Sequence, residues 1–284
     1  MPDADAAVVR AWRAQRRWSR AADRAKAESV RARRAVLLLV VVAAVAGAAA
    51  AATGSAALAA VSASATAVVA VLASPAVVDV RTVTRLRAVS EALKAEVHTF
   101  LAGADPYRGD DRDAVLDRRT TGLLPDDEAT GARVARQRPD DRAVPAVRDV
   151  ASYVDVRLTG QLEGYYGPAA ARMAAWAGRF RVAQLVLAVS AAGLAGLAAT
   201  GNPHAAGWIG ALTTAATAVA AHGAAGRHEY LALTYDRTAR RLESLRDRWR
   251  SGRLGDEVVA ECETLLATQN DAWLAQWTTA EGRG

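Results

Sequence analysis

Residues 182–226 read VAQLVLAVSAAGLAGLAATGNPHAAGWIGALTTAATAVAAHGAAG, 45 consecutive positions without a Lys, Arg, Asp or Glu. A chain in which 23% of residues are charged does not leave such a gap by chance, and this one leaves a second, of 44 positions, at 35–78. Each gap is too long for one helix across a bilayer and right for two. A span needs roughly 20 apolar residues at about 1.5 Å rise to cross about 30 Å of hydrocarbon. Both gaps are broken near their middle, by Thr53-Gly54-Ser55 and by Thr200-Gly201-Asn202-Pro203-His204. Glycine suits the left-handed residue that ends a helix, and proline suits the first position of the next. The pattern predicts an all-α integral membrane protein with two tandem transmembrane hairpins and four spans, at 35–52, 56–78, 182–200 and 206–226. Alanine dominates these spans, so each is only modestly hydrophobic. Small residues that let backbones approach are expected to hold each pair together.

Arginine sets the orientation. Both hairpin turns are uncharged, whereas Arg31, Arg33 and Arg34 precede the first span and Arg81 follows the second. Arg179 and Arg181 precede the third span, and Arg227 follows the fourth. These seven are the candidate interface cations, and an excess of Lys and Arg marks the cytoplasmic side. The expected location is the cell inner (plasma) membrane, multi-pass, with both termini cytoplasmic. Net charge is +6, and residues 1–34 account for it with ten basic against four acidic residues. That arm is read as lying against anionic lipid rather than nucleic acid. Arg33-Arg34 also has some likeness to a twin-arginine export signal, with Ala63-Ser64-Ala65 as a cleavage site. The uncharged stretch is about twice the length of an export signal's apolar core, and the second hairpin still needs a membrane.

Outside the gaps the periodicity is helical. Val83, Leu86, Val89, Leu93, Val97 and Phe100 recur every three or four residues and predict a helix ending at Gly103. An imperfect stripe of Val8, Trp12, Trp18, Ala22 and Ala25 predicts another over 6–34. Val147, Val150, Val154, Leu158, Leu162 and Tyr165 mark a third, which Gly167-Pro168 should kink or restart. Residues 227–250 form a fourth. Residues 256–277 form the last, with Asp256 as its cap and a four-three stripe through Val258, Cys262, Leu265 and Gln269. That face should pack on a partner helix, with Trp249, Asn270, Trp273 and Trp277 as the docking residues. The domain division expected is 1–106, a connector at 107–145, and 146–284. The connector carries Pro125, Pro139 and Pro145 and paired aspartates, and reads as a solvated loop with a short helix near 112–119.

Chemistry is sparse. The single cysteine, Cys262, excludes an intrachain disulfide and a thiolate metal cluster, and its place on an apolar stripe reads as core packing. The four histidines show no zinc-ligand spacing, and the aspartate pairs lack the alternation of a calcium loop. No phosphate-cradling glycine loop or nucleophile elbow occurs. The chain is therefore not expected to be an enzyme or to carry a metal or cofactor.

A resemblance rests on particular runs. Tyr153, Gln161, Tyr165 and Tyr166 lead into a two-span hairpin, and an Arg/Tyr helix follows from Tyr230 to Trp249. The chain closes on Glu263-Thr264-Leu265-Leu266 and Gln269-Asn270-Asp271-Ala272-Trp273. This resembles the SLATT family, two-transmembrane effector domains associated with bacterial nucleotide-second-messenger and SLOG systems. Residues 1–106 look like a second, more divergent copy, through Trp12, Gln15-Arg16-Arg17-Trp18-Ser19, Leu93-Lys94-Ala95-Glu96 and Pro106-Tyr107. The resemblance implies a pore-forming or membrane-perturbing effector in an antiviral or conflict system, switched by a nucleotide-signal-generating or sensor protein; four thin spans cannot make a wide channel alone, so a pore would require a homo-oligomer in the lipid bilayer.

Two functional readings stand. One is an oligomeric pore, because the second helix of each hairpin carries the hydroxyls. Ser55, Ser62 and Thr66 fall within about 40° on a helical wheel, and Thr213 and Thr217 are four apart. These five are the candidate pore-lining residues. The same hydroxyls could instead only hydrogen-bond between helices. The other reading is a membrane-anchored scaffold or sensor that tethers cytoplasmic partners without a pore.

Overall fold

The computed structural model describes residues 4–73, 80–138, 142–201 and 203–281, with side chains beyond residue 269 outside that description. Every element among the described residues is helical. Helix α1 spans Ala4–Thr53, α2 Ala56–Leu72, α3 Val80–Leu101, α4 Arg112–Gly122 and α5 Glu128–Ala135. Helix α6 opens at Val150–Tyr153 and runs through two π-helical stretches, Val154–Thr159 and Leu162–Tyr166, into α7, Gly167–Ala199. Helices α8 (Pro203–Gly226), α9 (His228–Arg250) and α10 (Glu257–Glu281) complete the chain.

The breaks in the uncharged gaps fall where the turn chemistry put them. Gly54 and Gly201 take φ of 70° and 90°, the left-handed region that ends a helix, and Pro203 opens α8. Ser55 caps α2 by accepting the Leu58 N–H at 3.4 Å. The expected division into a 6–34 helix and a 35–52 span does not appear, because α1 is one continuous helix of 50 residues. Nothing between Val30 and Val40 has a reason to break it: the segment lacks Gly and Pro. Two helical stretches among the described residues, Ala6–Thr53 and Val150–Ala199, are long and apolar enough to cross a membrane, and α2 is a shorter apolar helix of 17 residues.

Gly167-Pro168 neither breaks nor restarts its helix. The widened turn upstream gives the Gly167 N–H the carbonyl of Leu162, five residues back. A proline ring normally collides with the carbonyl four residues before it, and a π turn relieves that crowding by displacing the carbonyl ladder. A methyl at position 167 would stand 3.1 Å from that same Leu162 oxygen, so glycine is the residue that fits.

The chain divides into two compact units that cut across its sequential order. The first is drawn from 1–27, 80–169 and 234–284, the second from 28–79 and 170–233. In the first, Tyr153, Val154, Leu158, Leu242, Val258 and Cys262 are wholly buried together. A second cluster gathers Trp12, Val97, Phe100, Tyr107 and Leu116, and a third Trp18, Leu86, Leu93 and Val134. The aspartate-rich connector is thus built into this core, with Leu116 of α4 and Val134 of α5 as its anchors. Asp127 caps α5, accepting the Ala129 N–H at 3.1 Å, and Asp149 forms a capping box with Ser152 at the start of α6. Asp256 precedes α10 but its carboxylate takes Arg108 at 3.2 Å, while Glu257 reaches back to the Gly255 N–H.

The second unit is the apolar one. Helices α1 and α2 touch closely at Gly47, where an added methyl would lie 3.2 Å from the Ser62 hydroxyl. Its large side chains are left uncovered, with Leu38, Val182, Leu185 and Val189 each more than 60% exposed.

Candidate functional site

The hydroxyls singled out from the sequence all lie in the second unit. Ser62 on α2 donates to the Ala43 carbonyl of α1 at 2.8 Å, a bond between helices. Thr66, Thr213 and Thr217 donate to the carbonyl four residues earlier on their own helices, at 2.9, 2.8 and 2.9 Å. Ser55 is the cap of α2. The structure brings four of the five to the same region. Ser62 and Thr66 line a cavity of about 330 Å³, Thr213 and Thr217 line one of about 510 Å³, and Val40 and Thr214 belong to the walls of both. The larger cavity is headed by Arg33 and His222.

The flanking arginines are held in different ways. Arg179 lies over the Trp176 ring at 5.0 Å, and Arg181 pairs with Glu229 at 2.5 Å. Arg227 takes the left-handed region, φ 47°, at the break between α8 and α9. Phe180 stacks on His228 with ring centroids 5.3 Å apart and meets His222 at 5.6 Å. Arg31, Arg34 and Arg81 are exposed on α1 and α3. Trp249 packs against the Tyr153 core. Asn270, Trp273 and Trp277 lie outside the described side chains.

The first unit holds a site that the sequence reading missed. The first π-helical turn carries Arg157, 3% exposed, whose guanidinium makes two bonds of 2.9 Å to Glu263 of α10. The Tyr153 hydroxyl donates to the same carboxylate at 2.8 Å. Helix α3 faces this group with Arg87, Glu91, Lys94 and His98, spaced four, three and four apart, so they share one face. Lys94 pairs with Glu91 at 2.9 Å, and Arg87 donates to the Tyr165 hydroxyl at 2.8 Å. Tyr165, Tyr166 and Tyr235 close the end of the network in an aromatic triangle with centroids 5.0–6.0 Å apart.

The electrostatics follow from burial. Burial alone would raise the Glu263 carboxyl, but the Arg157 guanidinium outweighs it and holds Glu263 below the usual carboxylate range. Burial likewise opposes charge on Arg157, and Glu263 more than restores it. Burial, then the neighbouring Glu263 charge, push the Cys262 thiol up to about 12, which leaves it an inert core thiol. His98 is driven down to about 4 by burial, with the Arg157 charge adding to the effect. Arg87, Lys94 and Arg157 stand against Glu91 and Glu263, so a further cation at His98 would be repelled. The neutral ring sets its Nδ1 against the Lys94 carbonyl at 2.8 Å and its edge toward Trp12. A sequence signal did exist: Arg157 and Glu263 are charges of opposite sign set on or beside the apolar stripes of two different helices.

Among the described residues no group of three or more His, Cys, Asp or Glu is placed to hold a metal ion. What the network can do is fix register, because a buried bidentate pair bonded to Tyr153 tolerates only one alignment of α10 on α6.

Residues 153–273 match the family model described as SMODS and SLOG-associating 2TM effector domain 1. Residues 16–114 match a model described as a protein of unknown function, DUF4231. Among curated proteins and solved structures none matches. The first match starts at Tyr153 and encloses Arg157 and Glu263, so it supports the SLATT resemblance on the half where the runs were quoted. The N-terminal match is to a different family, and it does not carry the expectation of a second SLATT copy there.

Proposed function

We propose that this chain is a membrane-embedded effector, in which a folded helical bundle carries two hairpins of two spans each. The observation that supports the embedding is the uncovered apolar surface of the second unit. The most apolar window of Val150–Ala199 has none of its residues buried, and Leu38, Val182 and Val189 stand more than 60% exposed. An uncovered apolar surface of that kind calls for lipid or a protein partner. The match of 153–273 to a 2TM effector domain supports the effector half of the reading. The arginine flanks favour both termini on the cytoplasmic side.

On this reading the spans are 35–52, 56–78, 182–200 and 206–226, and the region matched by the second family model is another two-span element. Spans so rich in alanine are too slender to enclose a wide channel singly, so copies of the chain assemble and the bilayer becomes leaky. The trigger is a nucleotide signal or a sensor partner, as in the conflict systems the SLATT resemblance points to. The chain acts without catalysis and without a cofactor.

A second reading is a tether that makes no pore. It is favoured by the hydroxyls of Ser62, Thr66, Thr213 and Thr217, each of which already donates to a carbonyl and so needs no wet lumen.

One experiment separates the two. Purified protein is reconstituted into dye-loaded liposomes, and efflux is compared at equal insertion. Replacing Ser62, Thr66, Thr213 and Thr217 together by Ala and Val should reduce efflux, because lining polarity sets how readily a narrow lumen wets. Size-matched changes at Ala43, Ala46, Val186 and Ala192 should leave it unchanged. No efflux from the unmodified protein puts the tether ahead. In whole cells a cysteine at Ser55, with Cys262 replaced, should label from outside, and a reporter fused at residue 125 should read cytoplasmic; an external reading at residue 125 overturns the hairpins.

A further inference from the structure

The two cavities of the second unit adjoin at Val40 and Thr214, which line both, and together they outline a slot. Its mouth carries the Arg33 cation with the His222 ring beside it in the wall, and Arg31 and Arg34 lie within a turn of Arg33 on the same helix. Its far end, at Ala44 and Ser62, has no ionisable residue in the wall. From Arg33 to Ala44 the slot follows α1 for eleven residues, about 16 Å at the helical rise. That is close to half of the roughly 30 Å hydrocarbon core, the depth of one leaflet.

The walls suit hydrocarbon better than water. Val36, Leu37, Val40 and Ala218 are apolar, and the hydroxyls of Ser62, Thr66, Thr213 and Thr217 already donate to backbone carbonyls. A buried water requires two to four polar partners, which such a lining does not offer. The larger cavity, about 510 Å³, lies within the roughly 300–1,000 Å³ typical of ligand sites.

We infer that this slot binds one acyl chain of an anionic phospholipid of the cytoplasmic leaflet, with the phosphate held at Arg33 and His222 and the chain running along Val36, Leu37 and Val40. The inference rests on the second unit being bilayer-embedded, and it takes the lining hydroxyls in their carbonyl-bonded state rather than turned toward an open lumen. It gives the cation at the mouth a role distinct from orientation: it selects headgroup charge, and the slot behind it selects a chain. An anion without a chain gains only the mouth, and a zwitterionic lipid gains only the slot.

The test begins with carbonate extraction of membranes containing the full chain. The protein should stay in the pellet; release by carbonate would overturn the embedded reading and the lipid site with it. The pelleted protein is then solubilised in neutral detergent with equal phosphatidylglycerol and phosphatidylcholine, and bound lipid is counted by native mass spectrometry. Phosphatidylglycerol should be retained about fivefold over phosphatidylcholine, the size expected of one cation near an anionic headgroup. Arg33→Gln with His222→Gln should bring the ratio close to one. Arg33→Lys should keep it, which guards against a variant that simply misfolds. Thr214→Trp, which fills the slot, should lower retention of both lipids. Millimolar inorganic phosphate should displace nothing. Parity of the two lipids in the unmodified protein, an unchanged ratio in the double variant, or displacement by inorganic phosphate would each overturn the site while leaving a carbonate-resistant protein embedded.

Discussion

Arg157 and Glu263 are the residues on which the first unit is most exposed to single changes. Removing one partner of a buried ion pair strands the other without water, at a cost of about 3–5 kcal/mol. Arg157→Met should therefore destabilise the protein by that amount, and Glu263→Leu by a similar one. The double variant should regain most of the loss, since an apolar pair of matched size leaves no orphaned charge. Chemical denaturation of detergent-solubilised protein, followed by tryptophan fluorescence, measures the cycle; additive losses would show that the two do not act as a pair. His98 gives a pH prediction with a definite sign. Its folded value, about 4, lies below the ordinary histidine value of 6.5, so the unfolded chain binds the proton more readily. The contribution is full above pH 6.5 and is lost as pH falls toward 4, about 2 kcal/mol of it between pH 7 and 5. His98→Asn, whose amide can still donate to the Lys94 carbonyl, should flatten that slope. A slope equal to the parent's would assign the pH dependence elsewhere. None of this network is legible in the sequence, because a charge on an amphipathic helix is ordinarily a solvated one. Only the pairing of a stripe-borne Arg on one helix with a stripe-borne Glu 106 residues away distinguishes it, and pairing is a property of the fold.

At the scale of elements, the breaks at Gly54 and Gly201 and the end of α3 before Gly103 were legible because each requires a positive φ, which glycine alone adopts freely. The π-helical turns were not, since the Gly167-Pro168 pair that signals a break is also what a widened turn accommodates. The connector reads as a loop with one short helix, where α4 forms, because its apolar positions are few; Leu116 and Val134 suffice to anchor it when an existing core receives them. The contact between α1 and α2 carries a prediction of its own. Gly47→Val puts a branched side chain where a methyl already stands 3.2 Å from the Ser62 hydroxyl, so the helices must part and the Ser62 to Ala43 bond is lost. Overpacking of this sort costs about 1–3 kcal/mol. Gly193→Ala, where an added methyl meets nothing within 4 Å, should be neutral or slightly stabilising. Equal melting temperatures for the two variants would place the α1–α2 contact elsewhere.

For the molecule as a whole, the uncharged gaps announced where the apolar unit lies, and the helical periodicities announced the bundle. What they could not announce is the order in which the pieces of the first unit meet. That unit is assembled from three separated stretches of chain, and its last helix, α10, lies against α3 and the π-helical segment. The consequence is one of timing on the ribosome. When Arg157 joins the growing chain, its partner Glu263 lies 106 residues ahead, beyond the whole second apolar gap. Long-range closure of this kind is slow and leaves the nascent chain dependent on whatever shields it meanwhile. A message cut short before the codons for 257–269 yields a chain whose apolar segments are all present and whose guanidinium has nothing to close on. Quality control that recognises an unclosed bundle would thus remove incomplete copies before they can act.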